Sequence, residues 1–146
     1  MSEIGIRSSA AADASFIYDV VEATMRCHVE ATWGAWSAER VKSESDADAL
    51  DPSTKIIQFD GQDCGVFCVQ TRPDALWIQM LFVLPRFQRR GVGRHLLSRA
   101  QEQAQALGVP VRLRVMRVNP ARHYYEQFGF RRYSEDDDFL YFGRRA

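Results

Sequence analysis

Gln88-Arg89-Arg90-Gly91-Val92-Gly93 places positive charge beside bare backbone. The stretch follows the apolar run Leu76–Leu84 and leads into Val92, Leu96, Leu97, Ala100, Ala104 and Leu107, which share one helical face. It therefore sits where a strand hands over to a helix. The first turn of a helix has unpaired N–H groups and a partial positive charge. Gly91 and Gly93 carry no Cβ, so an anion can reach those groups, and Arg89, Arg90 and Arg94 add full charges. A diphosphate suits such a site. Two common diphosphate motifs are absent. No GxxxxGK[ST] loop occurs, and Leu96 stands where a dinucleotide fingerprint needs a third glycine. The following strand ends in Arg117-Val118-Asn119, with no acid to hold a ribose.

The charge distribution agrees with an anionic ligand. The 146 residues sum to zero net charge, but residues 1–85 hold 13 acidic and 6 basic side chains, and residues 86–146 hold 6 acidic and 13 basic. All 13 of the latter are arginine, the side chain suited to forked phosphate contacts. A neutral total is poor for binding a nucleic-acid backbone. The alternating Arg112, Arg114 and Arg117 are the best support for such a partner and are equally read as a solvated sheet face. The reading is a small polyanion and no nucleic acid. No apolar run nears the ~18 residues of a membrane span, and no secretion signal opens the chain, so no membrane partner and a cytoplasmic location are expected. Cys27, Cys64 and Cys68 are an odd set without metal-binding spacing; they read as free thiols, with no metal.

The elements that must position these residues follow from periodicity and punctuation. Strands are expected at Glu3–Ser8, Thr54–Phe59, Cys64–Gln70, Ala75–Leu84, Pro110–Arg117, Phe130–Tyr133 and Phe139–Phe142. Helices are expected at Asp13–Thr32, from an N-cap at Ser37 to Leu50, at Gly91–Leu107 and at Pro120–Phe128 with Asn119 as its N-cap. Asp60–Asp63 reads as a turn. The order is β-α-α-β-β-β-α-β-α-β-β: one α/β domain over residues 1–146 with a mixed sheet. The unit from Leu76 to Arg117 is a right-handed parallel crossover.

Leu81–Val83, Pro85 and Gln88–Gly93 resemble the coenzyme A signature Q/R-x-x-G-x-G/A of the GNAT N-acyltransferase superfamily. Asn119-Pro120-Ala121-Arg122-His123-Tyr124-Tyr125-Glu126-Gln127-Phe128-Gly129-Phe130 resembles its second motif. The resemblance covers essentially the whole chain and is specific from Leu76 to Phe130. It implies a mostly antiparallel sheet with a bulge on the strand before the signature and a splayed central parallel pair, and acetyl-CoA as acyl donor. Leu81, Phe82 and Val83 would pair with the pantetheine arm, with an N–H near Phe82 on the acyl carbonyl. Gln88, Arg89, Arg90, Gly91, Val92, Gly93 and Arg94 would hold the pyrophosphate, and Asn119 would touch the arm. Tyr125 matches the family tyrosine beside the thioester sulfur, as general acid. The expected reaction is direct transfer of acetyl to a primary amine of a small molecule or peptide in a ternary complex. The family often forms homodimers. The alternative is a coenzyme-binding sensor that transfers nothing.

The chain departs from the family at one place. Many members carry a carboxylate on the strand ahead of the signature, and here that strand has Gln79, which takes up no proton at neutral pH. Glu22, Glu30 and His28 on the first long helix are the alternative bases, directly or through water. Tyr124 and Tyr125 also fall on an apolar stripe with Ala121 and Phe128, so either can be a packing residue. Trp33 and Trp36 could wall an amine pocket by cation–π attraction or plug the core. The acid-rich first half favours a cationic acceptor. The run Glu135–Asp138 reads as a solvated turn or as the rim of that pocket.

Overall fold

The computed structural model describes residues 2–145. The elements are β1 (Ile4–Ser8), a 3-10 turn (Ala11–Asp13), α1 (Ala14–Trp33), α2 (Ala38–Leu50), β2 (Thr54–Phe59), β3 (Gln62–Thr71), β4 (Leu76–Val83), a second 3-10 turn (Pro85–Phe87), α3 (Val92–Leu107), β5 (Val111–Met116), α4 (Ala121–Gln127), β6 (Arg131–Glu135) and β7 (Phe139–Arg144). The order expected from sequence holds; boundaries move by two residues at most. The turn before β3 is only Asp60-Gly61, both at positive φ (50° and 82°), so β3 starts two residues earlier than expected. Phe130 is buried outside the strand, and β7 runs on to Arg144.

The seven strands form one sheet in the order β1-β2-β3-β4-β5-β7-β6. Every neighbouring pair is antiparallel except β4 and β5. Two apolar layers cover it. On one face Leu96, Leu97, Ala100 and Ala104 of α3 pack on Leu76, Ile78, Val111, Leu113 and Phe142. On the other, Ile17 and Val20 of α1 and Ala49 of α2 pack on Ile56, Val66, Cys68 and Met80. Burying each of the larger side chains, Val, Leu, Ile, Met and Phe, contributes about 1.5–3 kcal/mol.

Register explains how β4 serves both layers. Cys68 pairs with Met80 but Val69 pairs with Ile78, so Gln79 is an extra residue, a bulge. Alternation is reset there. Leu76 and Ile78 point to the α3 layer before the bulge, and Met80 and Phe82 point to the α1 layer after it. A second bulge, at Cys64, puts Cys64 and Cys68 in opposite layers despite their even spacing. Burial raises the pKa of both thiols, that of Cys64 to about 11. Among the described residues, no helix is long and apolar enough to cross a membrane.

Candidate active site

The parallel pair β4/β5 is joined only at Leu76–Val111 and Trp77–Arg112, with the Leu76 N–H bonded to the Pro110 carbonyl at 2.9 Å. Beyond that the strands part. The Leu84 N–H returns to the Cys64 carbonyl of β3 (2.8 Å), and strand alternation then turns Phe82 toward β3 and Leu81 and Val83 toward the gap. The gap-facing N–H groups therefore belong to Leu81 and Val83, on either side of Phe82, whose own main chain is used inside the sheet. Gly65 of β3 allows this pairing, because a Cβ there would overlap the Phe82 carbonyl oxygen.

The gap opens onto the loop before α3. Arg89 (φ 63°) and Gly91 (φ 82°) are both left-handed, the backbone pattern of an anion-binding nest. Gly91 is the N-cap of α3, and the first helical bond runs from the His95 N–H to its carbonyl (3.0 Å). A Cβ on Gly91 would meet nothing within 4 Å, so φ is what requires glycine there. At Gly93 the Cβ position lies 3.2 Å from the Tyr124 hydroxyl. Arg89, Arg90 and Arg94 are exposed. The Arg90 guanidinium lies 5.6 Å over the Phe59 ring and 6.0 Å over Phe87, which steadies the loop. Gln88 has a structural task as well: its side-chain NH2 donates to the Val83 carbonyl at 2.8 Å and ties the loop to β4. The Val92 side chain is buried in the α3 layer, so only its backbone faces the loop.

Two sequence-expected residues close the other side. The Asn119 carboxamide oxygen accepts from the Ala121 N–H (2.9 Å), which leaves its NH2 for a ligand; Pro120, not Asn119, is the N-cap residue of α4. Tyr125 is half-buried, edge-on to Tyr124 (centroids 5.7 Å) and to Phe130 (5.8 Å). Burial, then the neighbouring Tyr124 phenol, push the Tyr125 hydroxyl well above the ordinary tyrosine value, so it stays protonated. Burial also raises Tyr124, against a lowering by Arg94. Tyr124 thus reaches the first turn of α3, which helical spacing alone did not reveal.

The structure separates the base candidates. Glu22 accepts from Tyr18 and from Arg26 (both 3.0 Å), and Glu30 pairs with Arg26 at 3.5 Å. Both are committed to a ladder along one flank of α1. His28 lies instead at the helical phase of Ile17, Val21 and Thr24, the stripe that faces the sheet. α1 starts over β3 and β4 through Ile17 and Val20, and ends on β7, where the Trp33 ring is 6.1 Å from Phe139. Its second half therefore runs toward β7, and His28 on it is half-buried, its Nδ1 3.8 Å from the Cys27 sulfur. Thr32 follows on the same stripe, and its hydroxyl is buried without a hydrogen-bond partner.

The two tryptophans part company. Trp36 donates to the Tyr18 hydroxyl (3.2 Å) under the Arg26 guanidinium (5.9 Å), on the outer flank. Trp33, 53% exposed, donates to Asp138 (3.1 Å) and so links α1 to the β6–β7 turn. In that turn Asp136 accepts from the N–H groups of Asp138 and Phe139 and from the Tyr141 hydroxyl, a structural role. Gln79 is exposed on the bulge and accepts the Trp77 indole N–H (3.1 Å). Among the described residues no three His, Cys, Asp or Glu side chains converge as a metal site requires.

A strand gap with free N–H groups, ending in a left-handed turn among arginines, fits an extended ligand with a diphosphate at one end. The comparisons with known proteins point the same way. A family described as "Acetyltransferase (GNAT) domain" matches residues 53–132, more than half of the chain. A search of curated proteins gives no match. Among solved structures, the PaiA N-acetyltransferase of Thermoplasma acidophilum in complex with coenzyme A superposes with a TM-score of 0.78 at 17% identity, covering 99% of each chain. An acetyltransferase of Thermus thermophilus gives 0.76 at 18% identity over 98% of this chain and 97% of its own. The ribosomal-protein-S18-alanine N-acetyltransferase of Escherichia coli gives 0.68 at 20% identity over 98% and 94%. With its splayed parallel pair and its matched segment, the chain belongs to the GNAT acetyltransferase family.

Proposed function

We propose that the protein is an acetyl-CoA-dependent N-acetyltransferase acting on a primary amine of a small molecule or peptide, by direct attack within a ternary complex. The observation that carries this is the β4/β5 gap running into the left-handed loop at Arg89–Gly91. The coenzyme A complex of the Thermoplasma acidophilum relative supports the donor.

Leu81 and Val83 hold the pantetheine arm as an added strand would, and one of their N–H groups polarises the acyl carbonyl. The backbone N–H groups of Gly91–Arg94 and the guanidinium groups of Arg89, Arg90 and Arg94 hold the diphosphate, and the Asn119 NH2 steadies the arm. Acetyl-CoA, when bound, supplies an acetyl thioester. An amine attacks only when neutral. A lysine-like amine of pKa ~10.4 is neutral in about one molecule in 2,500 at pH 7, so a base or a water chain must accept its proton. His28 is the base this geometry favours, since Glu22 and Glu30 are bound to Arg26. Tyr125 faces the leaving sulfur. A thiol of ordinary pKa ~8.5 is a stronger acid than the raised Tyr125 phenol. Tyr125 would therefore donate a hydrogen bond to the developing thiolate and keep its own proton. The proton lost by the amine would reach the sulfur through the base and water, so that amine and thioester give amide and thiol. Trp33 and Asp138 form the acceptor-side rim. The free Cys27, Cys64 and Cys68 suit a reducing cytoplasm.

Gln79 supports a second reading, a coenzyme-binding sensor, because it leaves the bulge without a proton acceptor. Mixing acetyl-CoA with a panel of amines and following free thiol separates the two. Release with at least one amine supports transfer; tight coenzyme binding with no release across the panel supports the sensor.

A further inference from the structure

We propose that the far end of the sheet holds a second site, for the phosphodiester backbone of single-stranded nucleic acid. A cavity of about 1140 Å³ lies where β5, β6 and β7 meet the C-terminus of α3. Arg112, Arg131, Arg144 and Arg145 line it and no acidic residue does. Among the described residues Arg131, Arg144 and Arg145 have no ion pair, and Arg112 reaches only the exposed Asp74, at 3.5 Å. Three of these four cations have no counter-charge among the described residues and repel one another, and an anion relieves that repulsion.

The arrangement includes an aromatic platform. Arg112 and Arg131 both pair with Gly143, so they flank it on one face of the sheet. The Tyr133 ring lies on β7 against Gly143, where a Cβ would sit 3.5 Å from it, an ordinary contact. The Arg112 guanidinium is 5.0 Å from the Tyr133 centroid. Backed in this way, Tyr133 remains 51% exposed, with ring surface open to solvent. Arg144 is one residue on from Gly143 and so belongs to the opposite face, its guanidinium over Phe128 at 5.2 Å. Only an extended ligand reaches arginines on both faces. The cavity also exceeds the roughly 300–1,000 Å³ of enclosed small-molecule pockets. A basic groove with an aromatic platform is how single strands are held without sequence preference. The neutral charge of the whole chain does not oppose this, because the arginines concentrate locally.

The site is distinct from the coenzyme loop. α3 has 16 residues, so about 24 Å separates Gly91 from Gly108 at the groove. The remaining arginines of the alternating stripe are engaged: Arg114 lies 3.9 Å over Phe139, and Arg117 pairs with Glu135 at 3.3 Å.

The test is fluorescence anisotropy with a labelled twelve-nucleotide oligouridylate, titrated with the intact protein between 20 and 200 mM KCl. With four phosphate contacts, log K against log[salt] has a slope of about −2.8, and each arginine removed reduces it by about 0.7. R131A and R145A, both exposed, should each flatten the slope, R131K should retain it, and Y133L should weaken binding roughly tenfold. All four variants should keep wild-type coenzyme affinity, which reports folding. No binding at 20 mM KCl would overturn the proposal. So would equal affinity for polyglutamate or for free ATP, displacement by saturating coenzyme A, or indifference to R131A and R145A.

Discussion

The two ends of β4 are built from the same apolar residues and do opposite things. At Leu76 and Trp77 the strand is paired on both sides, and the Leu76 and Ile78 side chains are sealed beneath α3. At Leu81–Val83, past one extra residue, it is paired only on the β3 side and half-exposed. Hydrophobicity does not distinguish the ends. The bulge at Gln79 does, because it re-aims side chains and peptide groups together. One end thus contributes stability and the other a ligand edge.

That contrast can be broken from either side. The largest effect expected is on stability. Leu76 is fully buried, and Leu76→Ala should cost about 2–5 kcal/mol in urea unfolding. Leu81→Ala should cost less than half as much and weaken coenzyme binding instead. Equal losses would show that the open end is as structural as the closed one. Tyr125→Phe should come next. It should lower kcat roughly 100-fold while leaving the coenzyme Kd nearly unchanged; unchanged turnover would reduce Tyr125 to packing against Phe130. Gly91→Ala follows. Holding alanine in the left-handed region costs about 1–2 kcal/mol, so coenzyme affinity should fall about 5–30-fold in calorimetry. Gly91 has open space around it, so a null result would remove the left-handed turn from the binding account.

The smallest effects concern pH and come from different regions. Asp13 and Asp63 are held below the ordinary value of 3.8, first by hydrogen bonds from Arg7, which ties β1 to β3 and to the turn before α1. Their folded pKa is depressed, so this stabilisation is present above pH 3.8 and is lost as pH falls through the lowered values. The pairs are partly exposed and contribute about 0–1 kcal/mol each. Tyr125 has the opposite sign. Its raised pKa gives stability that is present below the ordinary tyrosine value of about 10 and lost at higher pH. Asp63→Asn should flatten the acid limb of a melting-temperature profile, and Tyr125→Phe the alkaline limb.

How much of this was legible in the sequence follows from what is local. Gln88–Gly93 announced the loop because charge, glycine and the strand-to-helix change are all written in adjacent residues. The element order was legible for the same reason. The family resemblance implied a bulge on β4 but not its place: Leu76-Trp77-Ile78-Gln79-Met80-Leu81 gives no periodicity by which to locate an extra residue, and its position depends on pairing with β3. The turn before β3 was placed two residues too long although Asp60-Gly61 is a two-residue hairpin signal. Glu22 and Glu30 are held by Tyr18 and Arg26 four residues away on the same helix, a spacing that was there to read. Trp36 and Trp33 rest on Tyr18 and Asp138, partners that no local pattern reveals. Tyr124 looked like packing because its contact with Gly93 joins two helices far apart in the chain. Thr32 gave no signal at all.

The central claim is that the free edge of β4 takes up the coenzyme arm while the loop before α3 takes the diphosphate. Amide hydrogen exchange read residue by residue by NMR, with and without acetyl-CoA, tests it most directly. Protection should appear at Leu81, Val83 and Gly91–Arg94, with Leu76–Ile78 unchanged. Saturating acetyl-CoA that leaves Leu81 and Val83 exchanging as before would contradict the account.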